Sequence, residues 1–161
     1  MVESSDKDPR ENKVRKVETF SVQSSLQTIQ ENISISTNNQ SLPSKKEILN
    51  QAFKFHSQGN DLEAAKYYQY FINQGFEDHR VFSNYGLILK NLGKLKESEL
   101  STRKAIELKP NFSNAYYNLG NILSDLGKIK EAEIIYRKAI ELNPNSASSH
   151  YNLGLILKDL E

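Results

Sequence analysis

Apolar and small residues fall at fixed places in a frame of 34 residues that recurs along the chain. "HRVFSNYGLILKNLGKLKESELSTRKAIELKPNF" fills 79–112 and "SNAYYNLGNILSDLGKIKEAEIIYRKAIELNPNS" fills 113–146. A weaker copy, "KKEILNQAFKFHSQGNDLEAAKYYQYFINQGFED", fills 45–78, and the first half of a fourth, "ASSHYNLGLILKDLE", fills 147–161. Each full copy divides into two helical runs at Gly59, Gly93 and Gly127, and Pro110 and Pro144 follow the second runs. At about 100° per residue, the fourth, seventh, eighth and eleventh positions of a copy share one stripe of its first helix. The pattern predicts an all-α protein of stacked helix pairs: three full repeats and the first helix of a fourth.

The fourth position is bulky (Ile48, Phe82, Tyr116, His150) and the seventh apolar (Tyr85, Leu119, Leu153), with Gln51 departing. The eighth is small (Ala52, Gly86, Gly120, Gly154) and the eleventh apolar (Phe55, Leu89, Leu123, Leu157). In the second helix the twentieth is small (Ala64, Ser98, Ala132) and the twenty-fourth is Tyr68, Thr102 or Tyr136. The twenty-seventh is small at Ala105 and Ala139 but is Phe71 in the first copy, where Phe76 also replaces Pro and Gly75 ends the helix. Gly costs about 1 kcal/mol within a helix. Its place at 86, 120 and 154 is therefore read as a crossing point where a larger side chain would hold two backbones apart.

Residues 1–43 differ in kind. They contain no Gly, are rich in Ser, Gln, Asn, Thr and charge, and show no helical stripe. "ENISIS" (31–36) alternates like a strand but has no partner run, so 1–43 is expected to be a disordered polar tail. Either it is a solvated leader or it tethers or folds onto a partner. Ser44 and Glu47 form a capping box ahead of the first apolar run, which starts the folded part, 44–161, at Ser44.

Charge excludes several functions. Twenty-one Lys and Arg face 20 Asp and Glu, which argues against a dedicated nucleic-acid or polybasic membrane surface. There is no Cys, hence neither a disulfide framework nor a thiolate metal site. The N-terminal stretch lacks an apolar segment of a secretory signal, and no run of about 18 apolar residues is present. The expected address is cytoplasmic, so the sequons at Asn32 and Asn111 are read as chance matches. His56, His79 and His150 lack metal-ligand spacing; no metal, cofactor or catalytic constellation is expected. His150 is assigned to packing and His56 to the groove. Glu97, Glu99, Glu131 and Glu133 sit beside cations on second helices and read as solvated faces.

These spacings, repeated in register over about three quarters of the chain, resemble the tetratricopeptide-repeat family. The resemblance implies a right-handed α-solenoid whose first helices line a concave groove. It also implies a non-catalytic scaffold that binds a protein partner as an extended peptide. The alternative is the substrate-recruiting arm of a larger transferase (glycosyltransferase, sulfotransferase or methyltransferase), as in bacterial chains similar to O-linked N-acetylglucosamine transferase.

Asn50, Asn84, Asn118 and Asn152 hold the sixth position of all four copies, roughly opposite the fourth. Two readings stay open. The amides form a ladder whose donors and acceptors match a peptide main chain, or they are polar surface residues or links between neighbouring repeats. The resemblance places Asn121, Tyr117, Tyr151, Arg80 and Lys90 in the same groove. Lys46, Arg80 and Lys90 are expected to favour an acidic ligand segment near the first copies. The carboxylate clamp of chaperone-binding members would need cations where this chain has Leu49, Asn114 and Asn118, so chaperone tails are not expected partners. Leu153, Ile156 and Leu157 are expected to lack a covering helix, leaving an end open to self-association or marking a truncation.

Overall fold

The computed structural model describes residues 43–159. The expected tail and its "ENISIS" run lie outside the described residues, apart from Pro43. Among the described residues seven helices follow in order: α1 (Lys45–Ser57), α2 (Asp61–Asn73), α3 (His79–Asn91), α4 (Leu95–Leu108), α5 (Ser113–Asp125), α6 (Ile129–Leu142) and α7 (Ala147–Asp159). Each sequence copy becomes one helix pair, α1/α2, α3/α4 and α5/α6, with α7 as the start of a fourth. No strand occurs among the described residues.

The helix ends follow from the sequence. Ser44 and Glu47 make the expected capping box: Ser44 Oγ accepts from the Glu47 amide at 3.3 Å, and Glu47 Oε2 accepts from the Ser44 amide at 2.8 Å. Asn60 caps α2 and Asp78 caps α3 through their side chains. Within each pair the turn passes through a glycine in the left-handed region, Gly59 at φ 71°, Gly93 at 75° and Gly127 at 72°. The residue after that glycine donates its amide back across the helix end, Lys94 to Leu89 O at 2.9 Å and Lys128 to Leu123 O at 2.8 Å.

Packing obeys the 34-residue frame. Ala64, Ser98 and Ala132, and also Tyr68, Thr102 and Tyr136, are all buried between the helices of their pairs. In the first copy Phe71 is fully buried where the other copies are small. Its ring lies 5.3 Å from that of Phe76, and the Lys45 ammonium sits 5.6 Å from both centroids. At Gly120 the close neighbour is a ring, not the backbone expected from sequence. A Cβ added there would lie 2.6 Å from the Tyr136 ring. At Gly86 a backbone does approach: the Ser98 carbonyl would be 3.2 Å from such a Cβ, and Ser98 Oγ donates to Gly86 O at 2.6 Å.

Two expectations about the last helix change. His150 is exposed rather than packed, with Nε2 2.9 Å from Pro144 O. Ile156 is buried, 3% exposed, because it turns back onto Leu119, Leu123, Ala132 and Tyr136 of the preceding pair. Leu157 and Leu155 remain 38% and 47% exposed, and nothing lies within 4 Å of where a Gly154 Cβ would be.

Candidate functional site: a neutral groove along the first helices

The first helices α3, α5 and α7 lie side by side. Their sixth residues therefore come to the seams between copies, and three of the four asparagines are half-buried there. Asn84 Nδ2 donates to the Tyr68 hydroxyl at 3.1 Å. Asn118 Nδ2 donates to Ser83 Oγ at 3.2 Å. Asn152 Nδ2 donates to Asn121 Oδ1 at 2.8 Å and reaches the Tyr136 hydroxyl at 3.4 Å. Every one of these bonds crosses from one copy to the one before, so the linking reading of the asparagines holds at three seams. Asn50 has no preceding copy among the described residues and is exposed. The Oδ1 atoms of Asn84, Asn118 and Asn152 accept no hydrogen bond among the described residues.

The tyrosines on the second helices are the partners that sequence reasoning missed. Tyr68 and Tyr136 were legible as core aromatics, but their hydroxyls extend through the core to the groove. Tyr68 Oη lies 2.9 Å from His56 Nδ1, and Tyr136 Oη donates to Asn121 Oδ1 at 2.6 Å. Burial pushes both hydroxyls up to about 12, opposed by the hydrogen bonds from Asn84 and Asn152. The recurring interval was the available signal: each Asn stands 16 residues after the twenty-fourth position of the previous copy.

Between α3, α5, the end of α6 and α7 lies a cavity of about 400 Å³. Asn84, Tyr117 and Asn118 meet in its wall with Ser83, Leu87 and Asn114, and Asn143 and Ser148 close the far side. Its described lining contains five Ser and four Asn and no charged residue. Tyr117 is half-buried, its ring 6.4 Å from that of Tyr136. Tyr151 stands away from the cavity at 67% exposure.

The expected basic end of the groove is not free. Arg80 makes a two-pronged pair with Asp78, Nε to Oδ1 at 3.0 Å and Nη2 to Oδ2 at 2.7 Å, and its guanidinium lies 5.0 Å from the Phe53 centroid. Burial raises the Asp78 carboxyl, but the bonds from Arg80 outweigh it and hold the group below the usual carboxylate range. Lys90 pairs with Asp125 of the next copy at 3.0 Å. Arg80 is thus held by the cap residue two positions before it and Lys90 by an acid from the next copy, whereas Lys46 is exposed. His56 does face the groove, beside Phe53, Ser57 and Asn84. Among the described residues no three His, Asp or Glu gather as metal ligands, and no helix is long and apolar enough to cross a membrane.

The second-helix side carries the charges. Glu99 accepts from Arg103 at 2.8 Å and from Lys128 of the next copy at 2.9 Å, and Arg103 also reaches Glu131 at 3.4 Å. The Lys128 bond, with that of Arg103, holds the Glu99 carboxyl below its ordinary value against the opposing effect of burial.

A fold of three helix pairs and a half, with hydrogen-bonded seams, is that of a repeat scaffold. Models of the tetratricopeptide repeat match residues 79–112, 113–146 and 135–161, and the chain belongs to that family. No curated protein sequence matches it. Among solved structures it is similar to the first tetratricopeptide domain of Spaghetti (RPAP3) bound to the HSP90 peptide SRMEEVD. The identity is 23%, the shared region covers 72% of this chain and 92% of that one, and the TM-score is 0.67. MamA is similar at 17% identity over 80% of this chain and 73% of that one, with TM-score 0.70. The O-GlcNAc transferase of Thermobaculum terrenum is similar at 23% identity over 70% of this chain but 22% of that one, with TM-score 0.65. At such identities the likeness establishes the fold.

Proposed function

We propose that the chain is a non-catalytic interaction scaffold that holds an extended polypeptide along α3, α5 and α7. The observation that carries this reading is the shared orientation of Asn84, Asn118 and Asn152. Each amide nitrogen is fixed to the preceding copy, which leaves the carbonyl oxygens as a row of acceptors for main-chain N–H groups. Tyr117 and Tyr151 add contact area, and Asn121 braces the last seam. That a similar domain, the first of Spaghetti, is bound to an HSP90 peptide supports a peptide as the partner. The uncharged residues Leu49, Asn114 and Asn118 argue for a ligand other than an acidic chaperone tail. The test is fluorescence anisotropy with a peptide selected on the wild type. Asn84→Ala with Asn118→Ala is expected to weaken binding about tenfold or more while helical circular dichroism persists; unchanged affinity removes the mechanism.

A second reading, recruitment of substrate to a larger transferase, draws on the likeness to part of the O-GlcNAc transferase chain. Reading the gene in frame past codon 161 tests it, and an immediate stop codon removes it.

A further inference from the structure

The three seams are not equivalent. At the first, the buried Tyr68 hydroxyl meets Asn84, and its ring lies 6.0 Å from Phe53. At the third, the Tyr136 hydroxyl meets Asn121 and Asn152. Phe53 and Asn121 are the ninth residues of their copies. In the middle copy the twenty-fourth residue is Thr102, the ninth is Leu87 and the following sixth is Asn118. Leu87 and Asn118 are the two places a tyrosine at 102 would reach, and both line the 400 Å³ cavity. Thr102 is too short to reach them. Its Oγ1 is buried without a hydrogen-bond partner among the described residues, and Asn118 turns to Ser83 instead. The short side chain goes with a close crossing: a Cβ added at Gly86 would lie 2.3 Å from Thr102 Oγ1 and 3.2 Å from Ser98 O, whereas at Gly120 the nearest atoms are those of the Tyr136 ring.

We propose that the cavity at the seam between the second and third copies, where Thr102 leaves Asn118 without a tyrosine partner, is the specificity subsite of the groove. The subsite admits an uncharged hydroxyl- or amide-bearing side chain (Ser, Thr, Asn or Gln) of the bound segment and rejects a carboxylate or phosphate. This rests on the reading that the groove holds an extended polypeptide. The chemistry follows from the wall. Serine and asparagine side chains satisfy a neutral polar group in either hydrogen-bonding sense. A carboxylate would be desolvated there with no countercharge, since the lining holds no charged residue and the groove cations Arg80 and Lys90 are already paired with Asp78 and Asp125.

The experiment uses the full chain and an array of twelve-residue peptides of balanced composition, followed by anisotropy on those selected. The wild type is expected to enrich Ser, Thr, Asn and Gln and to deplete Asp and Glu, and phosphorylating a selected serine is expected to cost at least about tenfold in affinity. Thr102→Tyr, where its helical spectrum shows that it folds, is expected to lose the selected peptides at least about tenfold. Asn114→Arg, at an exposed position on the cavity wall, is expected to reverse the charge preference and needs no core change. Selection of acidic peptides by the wild type overturns the inference, as does unaltered binding by folded Thr102→Tyr. So does an unreversed preference in Asn114→Arg. If no peptide is selected at all, the groove reading itself fails, which separates the two ideas.

Discussion

Asn152 donates through Nδ2 to the side-chain oxygen of Asn121 across 2.8 Å, and that same oxygen accepts from the Tyr136 hydroxyl at 2.6 Å. Two donors from consecutive copies thus share one acceptor. The amide that looks like a surface residue in the sequence is structural on its nitrogen side and open on its oxygen side. This divides what substitution should do at each seam.

Asn152→Ala leaves Tyr136 its bond to Asn121 but deletes the bond across the seam. A hydrogen bond of this kind contributes about 1 kcal/mol net, and a loss of that size is expected in urea denaturation. Tyr136→Phe removes the other donor to Asn121 and should cost a similar amount.

The same repeat position should respond in opposite ways in two copies. Gly120→Leu drives a side chain into the Tyr136 ring, which already lies 2.6 Å from where a Cβ would be. Overpacking of this kind costs about 1–3 kcal/mol, and the midpoint of thermal unfolding should fall clearly. Gly154→Ala meets nothing within 4 Å, so helix propensity alone acts. It is expected to stabilise by up to about 1 kcal/mol.

Thr102→Val removes a buried hydroxyl that has no partner among the described residues. Relief of the desolvation penalty is expected to stabilise the fold by about 1 kcal/mol or more. A measured loss instead would reveal a hydrogen bond at that hydroxyl.

Alkaline stability follows from the buried tyrosines. The Tyr68 and Tyr136 hydroxyls are pushed from 10.0 up to about 12 in the folded protein. Their raised values mean the contribution is complete below pH 10 and is lost as pH rises toward 12. Denaturant titrations are expected to show stability falling through that window, with a shallower fall in Tyr136→Phe.

Much of this was legible in the chain. The copies, the turn glycines, the Ser44–Glu47 cap and the buried twentieth and twenty-fourth positions follow from periodicity and local chemistry, which act within one helix or one turn. What was not legible depends on distance between copies. Arg80 and Lys90 look free until Asp78 folds back as a cap and Asp125 arrives from the next helix. His150 looks like core because its frame position is bulky and buried or half-buried elsewhere, yet α7 has no second helix beside it among the described residues. Gly120 could be seen to face a close neighbour, but whether a ring or a backbone fills the space is decided by the rotamer of Tyr136.

The ion pairs Glu99–Lys128 and Arg103–Glu131 fasten consecutive copies on one flank, whereas the opposite flank is fastened mainly by neutral amides and hydroxyls, with the Lys90–Asp125 pair beside them. Dissolved salt weakens exposed ionic contacts over a screening length of about 8 Å near physiological strength and leaves neutral ones almost untouched. Rising salinity therefore slackens one side of the rod more than the other. Its bend, and with it the breadth of the hollow, becomes a quantity that the surrounding electrolyte can adjust, readable as a change in radius of gyration by X-ray scattering.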